Sequence, residues 1–163
     1  VVDFTKKVEG LKENVFAEEI MKITSLDKSF TLENFLSGAN TFFKMVVNSF
    51  VDGDLDNIKK YVKTKILNDF QTAIDERVKD KEKLIIDIIS INKTIIKSIK
   101  ISGNVVKIKV LFDTVQIKAL QDKNDKIIDG DLEERIDVKD LWTFERNFKL
   151  QSKNWTLIET STN

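Results

Sequence analysis

Cysteine and histidine are both absent from the 163 residues. Without cysteine there is no disulfide, no thiolate zinc site and no thiol nucleophile. Without histidine the chain lacks the usual general base near neutral pH and the commonest metal ligand. Ser-His-Asp and Cys-His catalysis are therefore excluded; carboxylates and lysines remain available as acids and bases. An excess of one charge is missing too. The 27 Lys and Arg balance the 27 Asp and Glu, so no global field concentrates nucleic acid or anionic membrane. No apolar run approaches the roughly 20 residues that span a bilayer. No glycine-rich phosphate loop, EF-hand spacing or metal cluster is present, so no metal and no cofactor are expected. What is present is 41% hydrophobic and 33% charged residues, the balance of an ordinary globular chain long enough to bury a core.

The order of periodicities gives the fold class. Residues 1–27 read as a helical lead, with Val8, Leu11, Val15, Phe16, Ile20 and Ile23 at helical spacing. That lead is an arm, a partner helix or a lid on the domain. Ser29 and Thr31 offer N-cap oxygens. Phe35, Ala39, Phe42, Phe43, Val46, Val47 and Phe50 then recur at three and four residues, which predicts a helix over about 32–51 with one broad apolar face. Gly53 is its stop signal. A short helix carrying Leu55, Ile58, Tyr61 and Val62 is predicted next. A third spans about 64–79, with Ile66, Leu67, Phe70, Ile74 and Val78 inward. From Leu84 the pattern turns extended and rich in isoleucine, and Ser102-Gly103-Asn104 signals a hairpin.

In the return strand Val106, Ile108, Val110 and Phe112 share a face. The apolar phase then shifts to Val115 and Ile117, which predicts a β-bulge at Asp113. A turn region is predicted from Lys123 to Asp131. The third strand carries Ile136, Val138, Trp142, Phe144 and Phe148 on one face, and the fourth runs from about Trp155 to Thr160. Helices before an antiparallel meander predict an α+β domain over residues 28–163, with helices layered on one face of a four-stranded sheet.

Several segments together carry a family resemblance. They are Phe35-Leu36-x-Gly38-Ala39, Phe50-x-x-Gly53-Asp54, the Asp129-Gly130-Asp131 turn, Asp140-Leu141-Trp142-Thr143-Phe144-Glu145-Arg146 and Asn154-Trp155-Thr156-Leu157. In order and spacing this set resembles the C-terminal domain of the forty-four-kilodalton subunit of the mitochondrial inner-membrane presequence translocase, and more closely its bacterial branch, over roughly residues 28–160. Lys153 stands where the family often has proline before its Asn-Trp pair. The resemblance implies a strongly bent sheet closed by the long helix, a cone-shaped roll of the nuclear-transport-factor-two-like type. It also implies a non-enzymatic adaptor at an inner membrane, held peripherally or through an N-terminal anchor outside this fragment. The partner it implies is translocation or chaperone machinery, with a role in protein transport or membrane-protein assembly. The chaperone-recruiting segments of the mitochondrial relative lie mostly upstream of the matched region.

Four sets of residues are candidates for binding. Phe43, Val47, Phe50, Phe70, Phe112, Trp142 and Phe144 are either plain core or the walls of an apolar pocket for an acyl chain or hydrophobic peptide. Asp140 falls on the same strand face as Val138 and Trp142, with Arg146 further along it as a candidate partner. The pair is structural, or Asp140 is the pocket carboxylate of a small carboxylate-dependent enzyme. Phe30, Phe35, Leu36, Lys28 and Lys44 match the segment that the resemblance associates with cardiolipin-membrane contact; the alternative is a core helix of the roll. Lys93, Lys97, Lys100, Lys107, Lys109 and Lys118 leave residues 84–120 with a net charge of +4 against Asp87 and Asp113. That basic patch suits anionic lipid head groups, or else it is a solvated sheet edge that resists aggregation. Nucleic acid is not expected, since no arginine cluster or exposed stacking pattern is present. A lipid- or acyl-chain-binding roll is the alternative function.

Overall fold

The computed structural model describes residues 15–162. Three helices and a short 3-10 turn precede four strands: α1 (Ala17–Leu26), α2 (Leu32–Asp52), the 3-10 turn (Lys59–Tyr61), α3 (Thr64–Lys79), β1 (Lys83–Ser102), β2 (Val105–Gln121), β3 (Ile127–Asn147) and β4 (Thr156–Thr162). The strands make one antiparallel sheet in the order β1-β2-β3-β4. The chain is thus the expected α+β roll, helices first and a meander after. Val8 and Leu11 of the leading stripe lie outside the described residues.

Local chemistry sets the ends of α2. Thr31 has extended backbone angles, and its Oγ1 accepts from the Asn34 N–H at 3.1 Å, which satisfies one of the free donors of the first turn. At the other end Gly53 adopts φ 76°, the left-handed conformation that glycine enters without a steric cost. Arg77 of α3 completes that end, its Nη2 donating to the carbonyls of Phe50 at 2.9 Å and Val51 at 3.1 Å. Along the helix, Phe35, Ala39, Phe43 and Val46 are buried, and Phe42, Val47 and Phe50 flank them half-buried. Of the residues predicted inward on α3, Ile66 and Ile74 are buried, but Val78 is exposed because the last turn outruns the core.

The sheet receives α2 on the face made by Val106, Ile108, Val110 and Phe112, all fully buried. Phe43 stacks on Phe112 with ring centroids 4.5 Å apart and packs against Trp142 at 4.8 Å. Thr94 Oγ1 donates to Asn40 Oδ1 at 2.6 Å, pinning α2 to β1. The position of the bend differs from the sequence expectation. No bulge lies on β2 at Asp113, because Thr114 and Gln116 continue the inward face and are buried there. Gln116 Nε2 donates to Thr114 Oγ1 at 2.9 Å, so the apolar phase shifts without a backbone shift. Extra residues sit on β1, between Ile88 and Ser90, between Ile91 and Lys93 across from Thr114 and Asp113, and between Ile96 and Ser98, and on β3, where residues 132–135 fall between the partners of Gln116 and Lys118. Each β1 bulge skips one residue and sharpens the local twist, which is why the isoleucines of β1 show no clean period.

The turn before β3 is also shorter than expected. Asp122 Oδ1 accepts from the N–H groups of Asn124 and Lys126, and β3 starts at Ile127. Gly130 therefore lies inside β3, opposite Ala119, with φ 77°. A Cβ there would collide with the Lys118 carbonyl oxygen, so only glycine permits the two strands to approach at this point.

Ile23 of α1 is 0% exposed, and Phe16 and Ile20 pack against the same core. Of the three roles open to the leading segment, its described part is packed on the domain. No helix among the described residues is long and apolar enough to cross a membrane.

Candidate functional site

The long helix leaves a cleft along each of its halves. The first runs beside the N-terminal half of α2 and holds about 650 Å³. Phe30, Phe35, Phe42, Phe144 and Trp155 form its aromatic wall, and Gly38, Met45 and Tyr61 continue it. Phe35 meets Trp155 at 4.9 Å and Phe144 at 6.0 Å, both edge-on, an arrangement that the ring quadrupoles favour.

One end of this cleft is charged. Arg146 Nη2 donates to Asp27 Oδ2 at 3.1 Å, and the guanidinium lies 3.8 Å from the Phe148 ring centroid. Lys153 Nζ is 3.8 Å from Asp27 Oδ1 and donates to Ser29 Oγ at 3.1 Å. The Ser29 hydroxyl and N–H both donate to Asp27 Oδ1. Those two bonds, helped by Arg146 and Lys153 and opposed by burial, hold the Asp27 carboxyl down at about 2. The Arg146 side chain is only 7% exposed, and its Nε finds no partner among the described residues.

The second cleft, about 470 Å³, runs beside the C-terminal half of α2. Phe43, Val47, Phe50, Phe70 and Trp142 line it, with Asp140, Gln116, Lys118 and residues 160–162. Two rings of the expected pocket set are elsewhere. Phe112 is fully buried beneath Phe43, and Phe144 faces the first cleft. Burial pushes the Asp140 carboxyl above its ordinary value, while the charge of Lys118 pulls it down.

Asp140 and Arg146 are therefore not partners, contrary to the sequence expectation. They share a strand face, but six residues of β-strand separate them by about 20 Å. Each belongs to a different cleft, and the acid that meets Arg146 is Asp27, 119 positions away in the sequence. Periodicity along one strand cannot reveal such a contact. Trp155 and Gly38 were legible as motif residues and Lys153 as a departure from the motif, but only folding made them neighbours along one cleft.

The remaining candidates separate likewise. Phe35 is buried in the aromatic wall, Phe30 and Leu36 are half-buried against the core, and Lys28 and Lys44 are exposed. Lys93, Lys100, Lys107 and Lys109 alternate with the inward residues and so lie on the outer face of the sheet, and Lys97 is the extra residue of a β1 bulge. Lys118 is not part of that patch; it lines the second cleft. Acids temper the rest: Glu145 lies 3.9 Å from Lys107, and Asp113 is opposite Lys93. Among the described residues no group of three or more acidic side chains is placed to hold a metal ion.

The family model of the Tim44-like domain matches residues 16–162. The chain belongs to the Tim44-like domain family. The match takes in α1 and every strand, so the Tim44-like unit here is the whole described roll. A curated relative, the mitochondrial import inner membrane translocase subunit TIM44-1 of Arabidopsis thaliana, is 25% identical over 122 residues, covering 74% of this chain. The chain spans only 25% of that protein's length. Among solved structures, the intermembrane space region of the chloroplast protein ARC6 superposes with a TM-score of 0.54 at 12% identity, over 82% of this chain and 96% of that one. At that identity the likeness concerns the fold alone.

Proposed function

We propose that this Tim44-like domain is a non-enzymatic adaptor that works peripherally at an inner membrane, holding a protein partner in protein translocation or membrane-protein assembly. The family match over residues 16–162 is the observation that carries this reading. The chemistry of the clefts supports it. Neither offers a histidine or cysteine, since the chain has none; in the first cleft the Ser29 hydroxyl is engaged by Asp27 and Lys153, and in the second Asp140 stands with Lys118 as its one charged neighbour among the described residues.

The outer face of the sheet supports contact with anionic lipid. Lys100 lies directly opposite Lys107. Like charges facing each other across strands are destabilising, so the arrangement favours a surface that meets negative charge. Lys97 and Lys109 extend the same end of the sheet. Each lysine near such a surface contributes about 1 kcal/mol. Insertion through Phe35 would require dismantling the aromatic wall, so electrostatic contact is the preferred mode, with Lys28 and Lys44 as exposed outliers.

Liposome flotation tests the membrane part. The full chain is expected to float with cardiolipin-rich vesicles at low salt, to be released at high salt, and to ignore neutral vesicles. Replacing Lys97, Lys100 and Lys109 together by Gln should abolish flotation. Binding that survives high salt or the triple substitution would refute the electrostatic mode. The adaptor part is tested by crosslinking in membranes: failure to recover any component of a translocation or insertion machine would sink it.

A further inference from the structure

We infer that the first half of β3, residues 127–139, is a docking surface for a basic segment of a protein partner, one that carries apolar residues between its lysines or arginines. The inference rests on the adaptor reading and names the surface that serves it.

The sheet is open along this stretch. β4 pairs with β3 only from Asp140 to Glu145, so among the described residues no strand lies against the outer side of residues 127–139. Residues 128–137 are exposed without interruption. A strand with one face on a core shows alternating exposure; here neither face is covered. Full burial on β3 begins only at Trp142, where Phe43 of α2 meets the sheet at 4.8 Å.

The uncovered stretch is not simply polar. Ile128, Leu132 and Ile136 are 47%, 44% and 37% exposed. A single exposed apolar residue is ordinary, but three on one short strand segment without a covering layer mark an interaction surface.

Charge selects the partner. Asp129, Asp131, Glu133, Glu134 and Asp137 against Arg135 and Lys139 leave residues 127–139 with a net charge of −3. None of the five acids is ion-paired among the described residues. Such a surface repels anionic lipid and attracts a cationic chain. The lysines assigned to lipid contact lie at the other end of the sheet: Lys107 stands opposite Glu145, whereas Gln116 stands opposite Ile136, roughly 30 Å of strand away. The balanced total charge thus conceals two poles, and a membrane at the basic one leaves the acidic one free for protein. A second copy fits poorly, because two such edges oppose like charges. The excursion at 132–135 also breaks the ladder that edge-to-edge pairing needs, since Asp131 Oδ1 already accepts from the N–H groups of Glu133 and Glu134. Side chains therefore carry the recognition.

Fluorescence anisotropy on the full chain in about 0.15 M salt tests the surface with two labelled peptides, each about ten residues long to match the open edge. One alternates Lys with Val, the other Lys with Ser. The Lys-Val peptide is expected to bind saturably and at least about tenfold more tightly than the Lys-Ser peptide. Leu132→Ser with Ile136→Ser should bring the two affinities together. Glu133→Gln with Glu134→Gln should weaken the Lys-Val peptide at least about tenfold. Both pairs are exposed, so thermal midpoints should stay close to the parent; if the apolar pair lowers its midpoint, the charge pair alone decides. Replacing Lys97, Lys100 and Lys109 by Gln should leave peptide affinity unchanged, because they lie several screening lengths away. Equal affinity for the two peptides, or Lys-Val binding undiminished in the charge pair, overturns the proposal. So does a dimer in sedimentation that Leu132→Ser with Ile136→Ser abolishes, since the patch then serves a second copy. The assay contains no membrane and no translocation component, so its failure leaves the crosslinking test of the adaptor reading standing.

Discussion

Asp140 illustrates how one residue trades stability for a polar group in an apolar cleft. Its folded-state pKa is raised, with burial as the main cause and Lys118 in partial opposition. A raised carboxylate pKa means that the native state binds the proton more tightly than the unfolded state does. The charged form then costs stability above the folded pKa, and this cost disappears as pH falls below the unfolded value. Asp140→Asn is accordingly expected to be more stable than the parent at neutral pH, with the difference closing as the solution is acidified into the ordinary carboxylate range. Thermal midpoints of both proteins across pH check this; a variant less stable at neutral pH would show that the carboxylate is needed where it stands. Asp27 behaves in the opposite sense. Its pKa is depressed to about 2, chiefly by Ser29 and then by Arg146 and Lys153, so its stabilising contribution is present above the unfolded value and is lost as pH falls from about 4 toward 2. Asp27→Asn should remove that part of the acid sensitivity.

The long helix depends on contacts from outside itself. Arg77 reaches from α3 to two C-terminal carbonyls of α2 and lies over the Phe50 ring at 5.2 Å. Charged hydrogen bonds of this kind contribute about 1.5–3 kcal/mol when partly sheltered. Arg77→Met keeps the aliphatic stem and removes the donors. It should lower the unfolding free energy by roughly 1–2 kcal/mol, read as a lower denaturant midpoint at unchanged slope. Gly130 plays a comparable part in β3, where its φ of 77° and the close Lys118 carbonyl leave no room for a side chain. The outer edge of β1 is long, yet its three bulges and its lysines make it a poor template for further pairing.

At the scale of the whole molecule, α1 is the element whose membership the fold decides. Ile23 is 0% exposed, whereas Met21 two positions earlier is 71% exposed. Ile23→Ala is expected to destabilise the entire roll by about 2–5 kcal/mol, in a single cooperative transition. Met21→Ala should lie within about 0.5 kcal/mol of the parent. A separate, earlier transition for α1 in hydrogen exchange would instead make it a detachable flap. The Asp27–Arg146 contact closes the same circuit, since it ties the α1–α2 junction to the far end of β3.

Helix α2, its caps, α3, the first hairpin and the α+β order were written in the sequence, because each rests on neighbours within a few residues: periodic apolar side chains, Thr31, Gly53 and Gly103. Family membership was legible for the same reason, as a set of short motifs in fixed order. Chain distance hid the rest. The bulges moved from Asp113 to β1 and β3 because buried Thr114 and Gln116 satisfy each other, which an apolar count cannot register. Arg146 chose Asp27 over Asp140 because about 20 Å of extended strand lies between the two residues on one face, while folding brings the α1–α2 junction to its side. Local patterns are set by backbone geometry that the sequence carries in itself. Pairings across the fold are set by packing, and only the folded chain chooses among the charges that packing brings within reach.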